Sequence, residues 1–423
     1  MKRVKIIFIA IFVLTINVIH AQPVRIYKTD VYWEIIVENG DSTLQITGQG
    51  KLPANNYVFL TFRDNIKKIV IAEGITEIDA STFNNWQAVE KVILPQSLKV
   101  LNSSVFEYDS NIKSINLPEK IEIIKQTAFY HTGGLPDSLF LSNITFLGNR
   151  YDRSISANTF SYTSVKYVLL PYKLDTLYTN FPYCTQLSTV IIPATVKNFT
   201  GGTFYNDTAL KLVVNLSPVP QTFEIPKGHH NAFDNVIRYQ CRLIVPTSAV
   251  NLYKNTPVWQ DFLIEGGGLS AGASVNAKEK GNIKGVEYRF YQKGELITWK
   301  AEPVEGCTFS GWKSNGEWIS TAKTLSFTIT KDTMIEAVFE GEVSVPETDK
   351  KAEKVLLYPN PAHTQFTVQT NSPIRSITIF DFSGRKVLKT ENSTVDVSGI
   401  AKGIYIVEIQ TSEGCHMKKF IRQ

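Results

Sequence analysis

Apolar triplets and single phenylalanines recur along the middle of this chain at an interval of 23 residues. The pattern is clearest in the triplets that begin at Ile69, Val92 and Ile115. A period of about 20 to 30 residues with one short strand per unit is typical of a solenoid, in which no single repeat buries its apolar face alone. The sequence therefore predicts a stack of similar turns that presents an extended outer surface.

The repeating part runs from about residue 63 to residue 265 and contains eight predicted strand cores. These cores lie at 69–71, 92–94, 115–117, 139–141, 168–170, 190–192, 212–214 and 243–245. We expect seven aromatic rings to fill a second interior position as spacers. These rings belong to Phe83, Phe106, Phe129, Phe160, Phe181, Phe204 and Phe233.

A predicted hairpin precedes the repeats, because apolar and polar side chains alternate on both sides of Asn39 and Gly40. We assign residues 22–62 to a capping hairpin that hides the unpaired edge of the first turn. The recurring Phe, the proline after the strand at Pro95 and Pro118, and the opening Trp33 resemble the BspA-like leucine-rich repeat family. That resemblance implies a bacterial surface protein of a functionally diverse family, some of whose members bind host proteins or other cells.

Three glycines at 266–268 and the small residues up to Ser274 predict a flexible linker at 266–274. The following residues, 275–340, contain Trp299 and Trp312. Around these two side chains the segment resembles a divergent internalin-type B repeat, and the resemblance implies a small β module that is commonly a spacer. We expect a small β domain to bury both rings rather than offer them as a ligand platform.

A polar segment at 341–353 predicts a second linker. Residues 354–423 contain a series of short motifs, made up of Tyr358, Pro359, Asn360, Pro361, Asp381, Ser383, Gly384, Arg385, Gly403 and Tyr405. In these motifs the segment resembles the type IX secretion C-terminal sorting domain. The resemblance implies a small β-sandwich, export by the type IX machinery, and removal of the tag. The fold class that follows is mainly β: a leucine-rich-repeat solenoid, then a β spacer module and a β-sandwich sorting domain.

The start of the chain has the pattern of a secretory signal peptide at 1–21. Lys2, Arg3 and Lys5 precede an apolar run, and Ala21 offers a cleavage point; the alternative is an uncleaved membrane anchor. We expect no integral membrane span after leader removal. Loss of the leader leaves 44 minus 3, or 41, basic residues against 39 acidic ones, a net charge of +2. That balance does not favour nucleic acid or an anionic membrane as partner.

Cysteine spacing gives no metal or redox motif. Cys184, Cys241, Cys307 and Cys415 lie far apart, and we favour isolated buried thiols, with a Cys184–Cys241 disulfide as the alternative. Catalytic motifs for nucleophilic, zinc or nucleotide chemistry are missing from the sequence, so we predict neither enzymatic activity nor a cofactor. His229 and His230 could hold a metal, but we expect them to be exposed loop residues.

Side chains alternate across a strand, so the middle residue of each predicted triplet should point outward. This reasoning gives two neighbouring outward columns, which we call the strand strip. The first column is Val70, Ile93, Asn116, Phe140, Leu169, Ile191, Val213 and Ile244. The second is Lys68, Lys91, Ser114, Ser138, Tyr167, Thr189, Lys211 and Arg242.

An apolar column beside a polar or basic one favours contact with a partner, whereas simple cross-strand packing is the alternative. We therefore expect a secreted or surface-displayed protein whose solenoid binds a protein or cell-surface ligand. A structural or capture component of a surface layer is the second interpretation. An enzyme with a site on inserted loops is the third.

Overall fold

The computed structural model describes residues 18–20, 23–26, 29–38, 40–54, 63–148, 157–225, 227–342, 356–370, 372–380, 386–411 and 415–423. Strands make up 43% of the chain and helices 5%, so the predicted mainly β class is confirmed. The chain divides into two compact units, residues 1–343 and 344–423.

An antiparallel hairpin opens the first unit, as the alternating pattern predicts. The cap contains strands β1 (Val18–His20), β2 (Val24–Arg25), β3 (Asp30–Glu38) and β4 (Asp41–Leu52). β3 pairs with β4 from Glu38 opposite Asp41 to Asp30 opposite Gln49. β1 lies within the predicted leader, and cleavage after Ala21 would remove it from β3.

The repeats place two short strands in most turns. In chain order they are β5 (Ile66–Ile71), β6 (Ile75–Ile78), β7 (Lys91–Ile93), β8 (Val100–Leu101), β9 (Ser114–Ile115), β10 (Ile123–Ile124), β11 (Ser138–Phe140), β12 (Phe146–Leu147), β13 (Tyr167–Leu169), β14 (Thr176–Leu177), β15 (Thr189–Ile192), β16 (Asn198–Thr200), β17 (Leu212–Asn215), β18 (Thr222–Glu224), β19 (Arg242–Val245) and β20 (Leu263–Gly266).

Parallel pairing joins these strands into two lines along the coil. The front line runs β4-β5-β7-β9 and then β11-β13-β15-β17-β19-β20; the second line runs β4-β6-β8-β10-β12 and then β14-β16-β18. β4 belongs to both lines, because its first half pairs with β5 and its end pairs with β6. Within the described residues the front line has nine repeat strands, so the prediction of eight misses β20.

The front line is interrupted between β9 and β11. There the chain passes through Gly134, whose carbonyl accepts a hydrogen bond from the amide of Ile115 at 2.9 Å. Gly134 has a φ of +61°, and a Cβ on it would lie 2.4 Å from the carbonyl carbon of Lys113. Only glycine fits this close approach of two backbones. The segment at Gly134 therefore occupies the place beside β9 where a parallel strand would otherwise pair.

Seven phenylalanine rings form a stacked spine inside the solenoid. All are fully buried, and neighbouring centroids lie 5.2 to 5.8 Å apart with interplanar angles of 5° to 22°. The predicted interior role of Phe83, Phe106, Phe129, Phe160, Phe181, Phe204 and Phe233 is therefore confirmed. Offset aromatic stacking adds to the area that each ring buries, so the spine joins the turns together.

A short helix and two large side chains close the far end of the solenoid. Helix α1 (Val250–Lys254) carries Tyr253, whose hydroxyl donates to the carbonyl of Ser217 at 3.0 Å. The indole of Trp259 donates to the carbonyl of Gln221 at 3.2 Å, and its ring contacts that of Phe233. Three 3-10 turns lie at Arg238–Gln240, Thr247–Ala249 and Trp259–Asp261, and another, Arg63–Asn65, precedes β5.

A two-sheet β module follows within the same unit. Its strands are β21 (Ala271–Val275), β22 (Gly281–Lys284), β23 (Leu296–Pro303), β24 (Cys307–Ser314), β25 (Glu317–Ser320), β26 (Thr324–Thr328) and β27 (Thr333–Gly341). The sheets have the orders β21-β27-β24-β25 and β22-β23-β26. Trp299 and Trp312 are fully buried between them, with centroids 6.4 Å apart, so their predicted packing role is confirmed.

The segment 266–274 differs from the predicted flexible linker. The amide of Gly267 donates to the carbonyl of Val245, and that of Ser270 donates to Oδ1 of Asp332 at 2.8 Å. Ser270 is 1% exposed, and β21 has begun by Ala271. Small residues are required here by close packing, since a Cβ on Gly267 would lie 2.3 Å from the ring of Phe290. Glycine content alone cannot separate close packing from flexibility.

The second unit is a small two-sheet domain. Its strands are β28 (Leu356–Tyr358), β29 (Gln365–Gln369), β30 (Ile374–Phe380), β31 (Lys386–Thr390), β32 (Thr394–Asp396), β33 (Gly403–Thr411) and β34 (Cys415–Arg422). One sheet has the order β28-β29-β32 and the other β31-β30-β33-β34. Phe366, Ile377, Val407 and Phe420 lie in their common core, which fits the predicted sandwich.

Candidate binding surfaces

The strand strip lies on the front line of the solenoid. Phe140 is its most exposed apolar member at 65%, and its ring lies 5.7 Å from that of Tyr167 in the next turn. Val70, Ile93, Ile191 and Ile244 are half-buried at the predicted outward positions. In the second column Lys68, Ser138, Tyr167 and Thr189 are half-buried, while Lys91, Ser114 and Arg242 are exposed.

In one turn of the strip the predicted outward residues are wrong by one position. Val190 pairs with Val213 and Ile191 with Val214, so Val213 points inward and is fully buried. The outward residue of this turn is Val214, and the second column contains Leu212 in place of Lys211. The 23-residue spacing from Val190 leads to Val213, so strict use of the period would have found the correct phase.

Two other predicted members contribute little free surface. Leu169 stands in register with Phe140 and Ile191 but is only 6% exposed. Asn116 uses its side chain within the solenoid: its Nδ2 donates to the carbonyl of Leu94 at 2.9 Å, and its Oδ1 accepts from the amide of Leu94 at 2.7 Å. This side chain takes over hydrogen bonds that β9 is too short to make.

The ninth strand changes the electrostatics at the end of the strip. β20 adds Leu263, which is 50% exposed, and Glu265, which pairs with Ile244 in the sheet register. The guanidinium of Arg242 donates to both carboxylate oxygens of Glu265 at 2.9 and 2.8 Å. These hydrogen bonds lower the pKa of Glu265 and raise that of Arg242. The strip is therefore neutralised at this end rather than wholly basic.

A second outer column was not found from the sequence. It consists of aromatic rings on the turns that follow the phenylalanine spine, and we call it the turn column. Its members are Tyr108, Tyr130, His131, Tyr162, Tyr183, Tyr205 and His230. The readable signal was the residue two places after each spine phenylalanine, which is Asn, Tyr or His in all seven turns.

A cleft of about 690 Å³ lies between the solenoid and the β module. Its lining includes Tyr172, Lys173, Pro220, Asn276 and Glu336. Lys173 donates to the carbonyl of Lys278 at 3.2 Å and to Oδ1 of Asn282. Burial lowers the pKa of this amine to about 8. The side chain thus holds the two parts of the unit together, and its donors are directed to the protein.

The structure shows neither a disulfide nor a metal cluster among the described cysteines and histidines. Cys184 and Cys241 are fully buried free thiols, so the alternative of a disulfide between them is wrong. Burial raises the pKa of Cys241 to about 12, and that of Cys184 is raised as well. His229 and His230 are exposed. Within the part of the chain that the structure describes, no group of three His, Cys, Asp or Glu residues could hold a metal ion.

The predicted sorting motif is described only in part, because Asp381, Ser383, Gly384 and Arg385 lie outside the described residues. Tyr358 is 74% exposed, followed by Pro359, Asn360 and Pro361. Oδ1 of Asn360 accepts a hydrogen bond from the amide of Ile421 at 3.0 Å, which ties the motif to the last strand. Gly403 begins β33, and Tyr405 is 7% exposed in the core, its hydroxyl donating to the carbonyl of Ala401.

Three family models match successive regions of the chain. A BspA type leucine rich repeat region matches in six copies at 55–151 and 141–225, a divergent InlB B-repeat domain matches at 272–342, and a secretion system C-terminal sorting domain matches at 356–423. The chain is therefore built from a BspA-type repeat region, an InlB-type B repeat and a sorting tail. The tail indicates export, to the cell surface or beyond it.

Solved structures of bacterial leucine-rich repeat proteins are similar at low identity. The chain is 15% identical to one from Bacteroides ovatus, covering 51% of this chain and 70% of that one, with a TM-score of 0.25. It is 14% identical to a leucine rich cell surface protein from Faecalibacterium prausnitzii, covering 58% and 94%, with a TM-score of 0.19. For the pneumococcal vaccine antigen PcpA the identity is 12%, the coverage 61% and 94%, and the TM-score 0.23.

These likenesses carry nothing about ligand or activity. A search of curated proteins gives no match to the sequence. Among the described residues, no helix has both the length and the apolar character needed to cross a membrane.

Proposed function

We propose that this chain is a secreted, surface-displayed binding protein without enzymatic activity, and that the strand strip contacts a protein or cell-surface ligand. The observation that carries the proposal is a pair of neighbouring aromatic rings in the middle of the strip, the exposed Phe140 and the half-buried Tyr167. Aromatic side chains at the centre of a contact surface commonly supply most of the binding energy.

The geometry of the front line supports an extended contact. With strands about 4.8 Å apart in each part of the front line, its nine repeat strands extend over roughly 40 Å of the solenoid. Apolar side chains such as Ile93 and Ile191 follow the central pair in both directions, and Lys91 lies exposed beside them. A partner with an apolar ridge and some negative charge would match this arrangement.

The tail supports a route to the surface. In this proposal the leader directs passage into the periplasm, and the type IX machinery recognises the sorting domain and moves the chain across the outer membrane. The domain is then removed, and the product is anchored or released. Mass spectrometry of the surface-bound form tests this processing: peptides from beyond Lys354 in that form would contradict it.

Binding is tested by replacing Ile93, Phe140 and Ile191 together with serine in the full chain. We expect capture of cell-surface partners to be lost while thermal unfolding is little changed, because all three side chains point outward. Unfolding of the variant would instead assign these residues to the fold. Saturable self-association of the unmodified chain, with no other partner captured, would favour a structural role in a surface layer.

A further inference from the structure

The turn column is a continuous line of rings on the outside of the solenoid. His131 stacks on Tyr162 with centroids 4.3 Å apart, and Tyr162 stacks on Tyr183 at 4.5 Å. Tyr108 lies against His131 at 5.8 Å. At the other end Tyr205 is turned across the stack, at 89° to Tyr183, and His230 covers its face. Together with Tyr130 the column therefore joins six consecutive turns, one ring or two per turn.

Four of the rings are held outward by an unusual backbone. The residue two places after each spine phenylalanine has a φ between +55° and +64° in all seven turns. Asparagine tolerates this left-handed conformation well, whereas larger side chains rarely adopt it. The outermost of these turns use asparagine: Asn85, Asn206 and Asn235. The four turns between them use Tyr108, His131, Tyr162 and Tyr183, so rings are placed where the backbone favours another residue.

Strained conformations of this kind cluster at binding and catalytic sites, because the surrounding structure must hold them. The spine supplies that support, since each of these four left-handed residues follows a fully buried phenylalanine. Stacking between the column rings offsets part of the strain. It also leaves their edges outward: Tyr108 is 47% exposed and Tyr162 is 39% exposed. Those edges carry phenol oxygens and imidazole nitrogens that can donate and accept hydrogen bonds.

Exposed charge is sparse around the column, with Asp234 lying 3.9 Å from Nδ1 of His230 at its last turn. The five residues after the spine phenylalanine in the first six turns contain no lysine or arginine. Their carboxylates are Glu107, Asp109 and Asp207, of which the last two are at most 1% exposed. Glu107 accepts a hydrogen bond from Nδ2 of Asn84. Exposed neighbours such as Gln87 are uncharged hydrogen-bonding groups. A surface with so few charges offers little electrostatic attraction to an acidic or basic partner.

The repetition along the column indicates the form of the ligand. Similar rings recur once per turn, at a spacing of roughly 4.8 Å, so a ligand that fits one turn fits the next. A polymer of like units can engage several turns at once, and such linked contacts add avidity. We propose that the turn column binds a neutral polysaccharide, whose hydroxyl groups meet the phenol, imidazole and amide groups and whose C–H surfaces meet the ring edges.

This proposal uses residues separate from the strand strip, so either can fail alone. The test is affinity electrophoresis of the full chain through gels that contain a soluble β-glucan, an α-glucan, a mannan or a galactan. We expect at least one of these neutral polymers to retard the chain, and added salt to leave the retardation unchanged, because no ion pair contributes. Retardation by none of them, or only by an anionic polysaccharide, would overturn the proposal.

The matched variant is Tyr108→Asn, Tyr162→Asn and Tyr183→Asn in one chain, which places in these turns the residue found at Asn85 and Asn206. We expect polysaccharide affinity to fall about tenfold or more, since aromatic contacts dominate such surfaces. The thermal midpoint should stay or rise, because asparagine suits the left-handed backbone. Phe140→Ser is the control that should keep full retardation. The proposal would be contradicted if the triple variant were retarded as strongly as the unmodified chain. It would also be contradicted if the variant lost the capture of protein partners but kept its affinity for polysaccharide.

Discussion

The strand side and the turn side of the solenoid repeat with the same period but differ in what fixes their outer residues. On the strand side, parallel pairing decides which side chain points outward, as between Val213 and Val214. On the turn side, a left-handed residue after each spine phenylalanine sets the direction. One period thus produces an apolar strip bordered mainly by polar residues and a column of aromatic rings. The comparison teaches that a repeat carries separate surfaces whose chemistry varies independently.

The largest expected effect comes from a change in the phenylalanine spine, which supports both the strand side and the turn side. Phe129→Ala removes a fully buried ring that stacks on Phe106 and Phe160. We expect the free energy of unfolding to fall by about 3 to 5 kcal/mol, the range for a buried aromatic ring replaced by alanine. Urea unfolding measures the loss. Tyr130→Ala, one residue later on the outside, is the control and should cost far less; equal losses would refute the distinction between spine and column.

The phase of the strand strip is tested by two adjacent serines. Val213→Ser places a hydroxyl in the core and should destabilise the chain by about 2 to 4 kcal/mol. Val214→Ser changes an outward side chain and should cost less than about 1 kcal/mol. Thermal unfolding of the two variants gives the comparison. A larger loss of stability from Val214→Ser than from Val213→Ser would instead support the phase in which Val213 points outward.

A pH effect is expected from the buried carboxyl of Asp109, in one of the turns that carry the turn column. Asp109 follows Tyr108 in the chain, is buried, and accepts a hydrogen bond from the amide of Trp86 at 2.6 Å. Burial raises the pKa of this carboxyl from 3.8 to about 8. The unfolded chain therefore loses this proton at lower pH than the folded one, so the contribution to stability falls as pH rises from about 4 to 8.

Asp109→Asn keeps an acceptor for Trp86 but cannot ionise. Relative to the unmodified chain, we expect the variant to be similar in stability near pH 4 and more stable by roughly 1 to 3 kcal/mol near pH 8. Unfolding curves at both pH values check the difference. A stability gap that does not grow with pH would show that the carboxyl does not titrate as its burial requires.

The smallest expected effect concerns the ion pair between β19 and β20 at the end of the strand strip. Arg242 and Glu265 are both about half exposed, and such surface pairs contribute little. Arg242→Gln should lower stability by less than about 1 kcal/mol, and added salt should shrink the difference. A larger, salt-independent loss measured by thermal unfolding would place this pair among the structural contacts and not on a binding surface.

Much of the fold follows from local pattern. The 23-residue interval, the spine phenylalanines and the cap hairpin reflect side-chain periodicity, which short-range geometry fixes. The burial of Trp299 and Trp312 also follows from the sequence, because a small β module needs large apolar side chains to fill its core. The site follows less well: Phe140, Tyr167 and Ile191 were predicted at outward positions, whereas Val213 and Lys211 were displaced by one residue. A one-residue slip exchanges the two faces of a strand, so small alignment errors reverse the conclusion.

The sequence alone determined that turns of like size would stack, and that large aromatic rings would hold them, because these depend on the period and on apolar volume. The tertiary structure decided which residue of each strand faces outward, that residues 266–274 are packed rather than free, and that rings from six turns meet in one column. Those features arise when chain segments far apart in sequence come within contact distance. Their physical reason is therefore in the pairing of neighbouring turns and not in any single repeat.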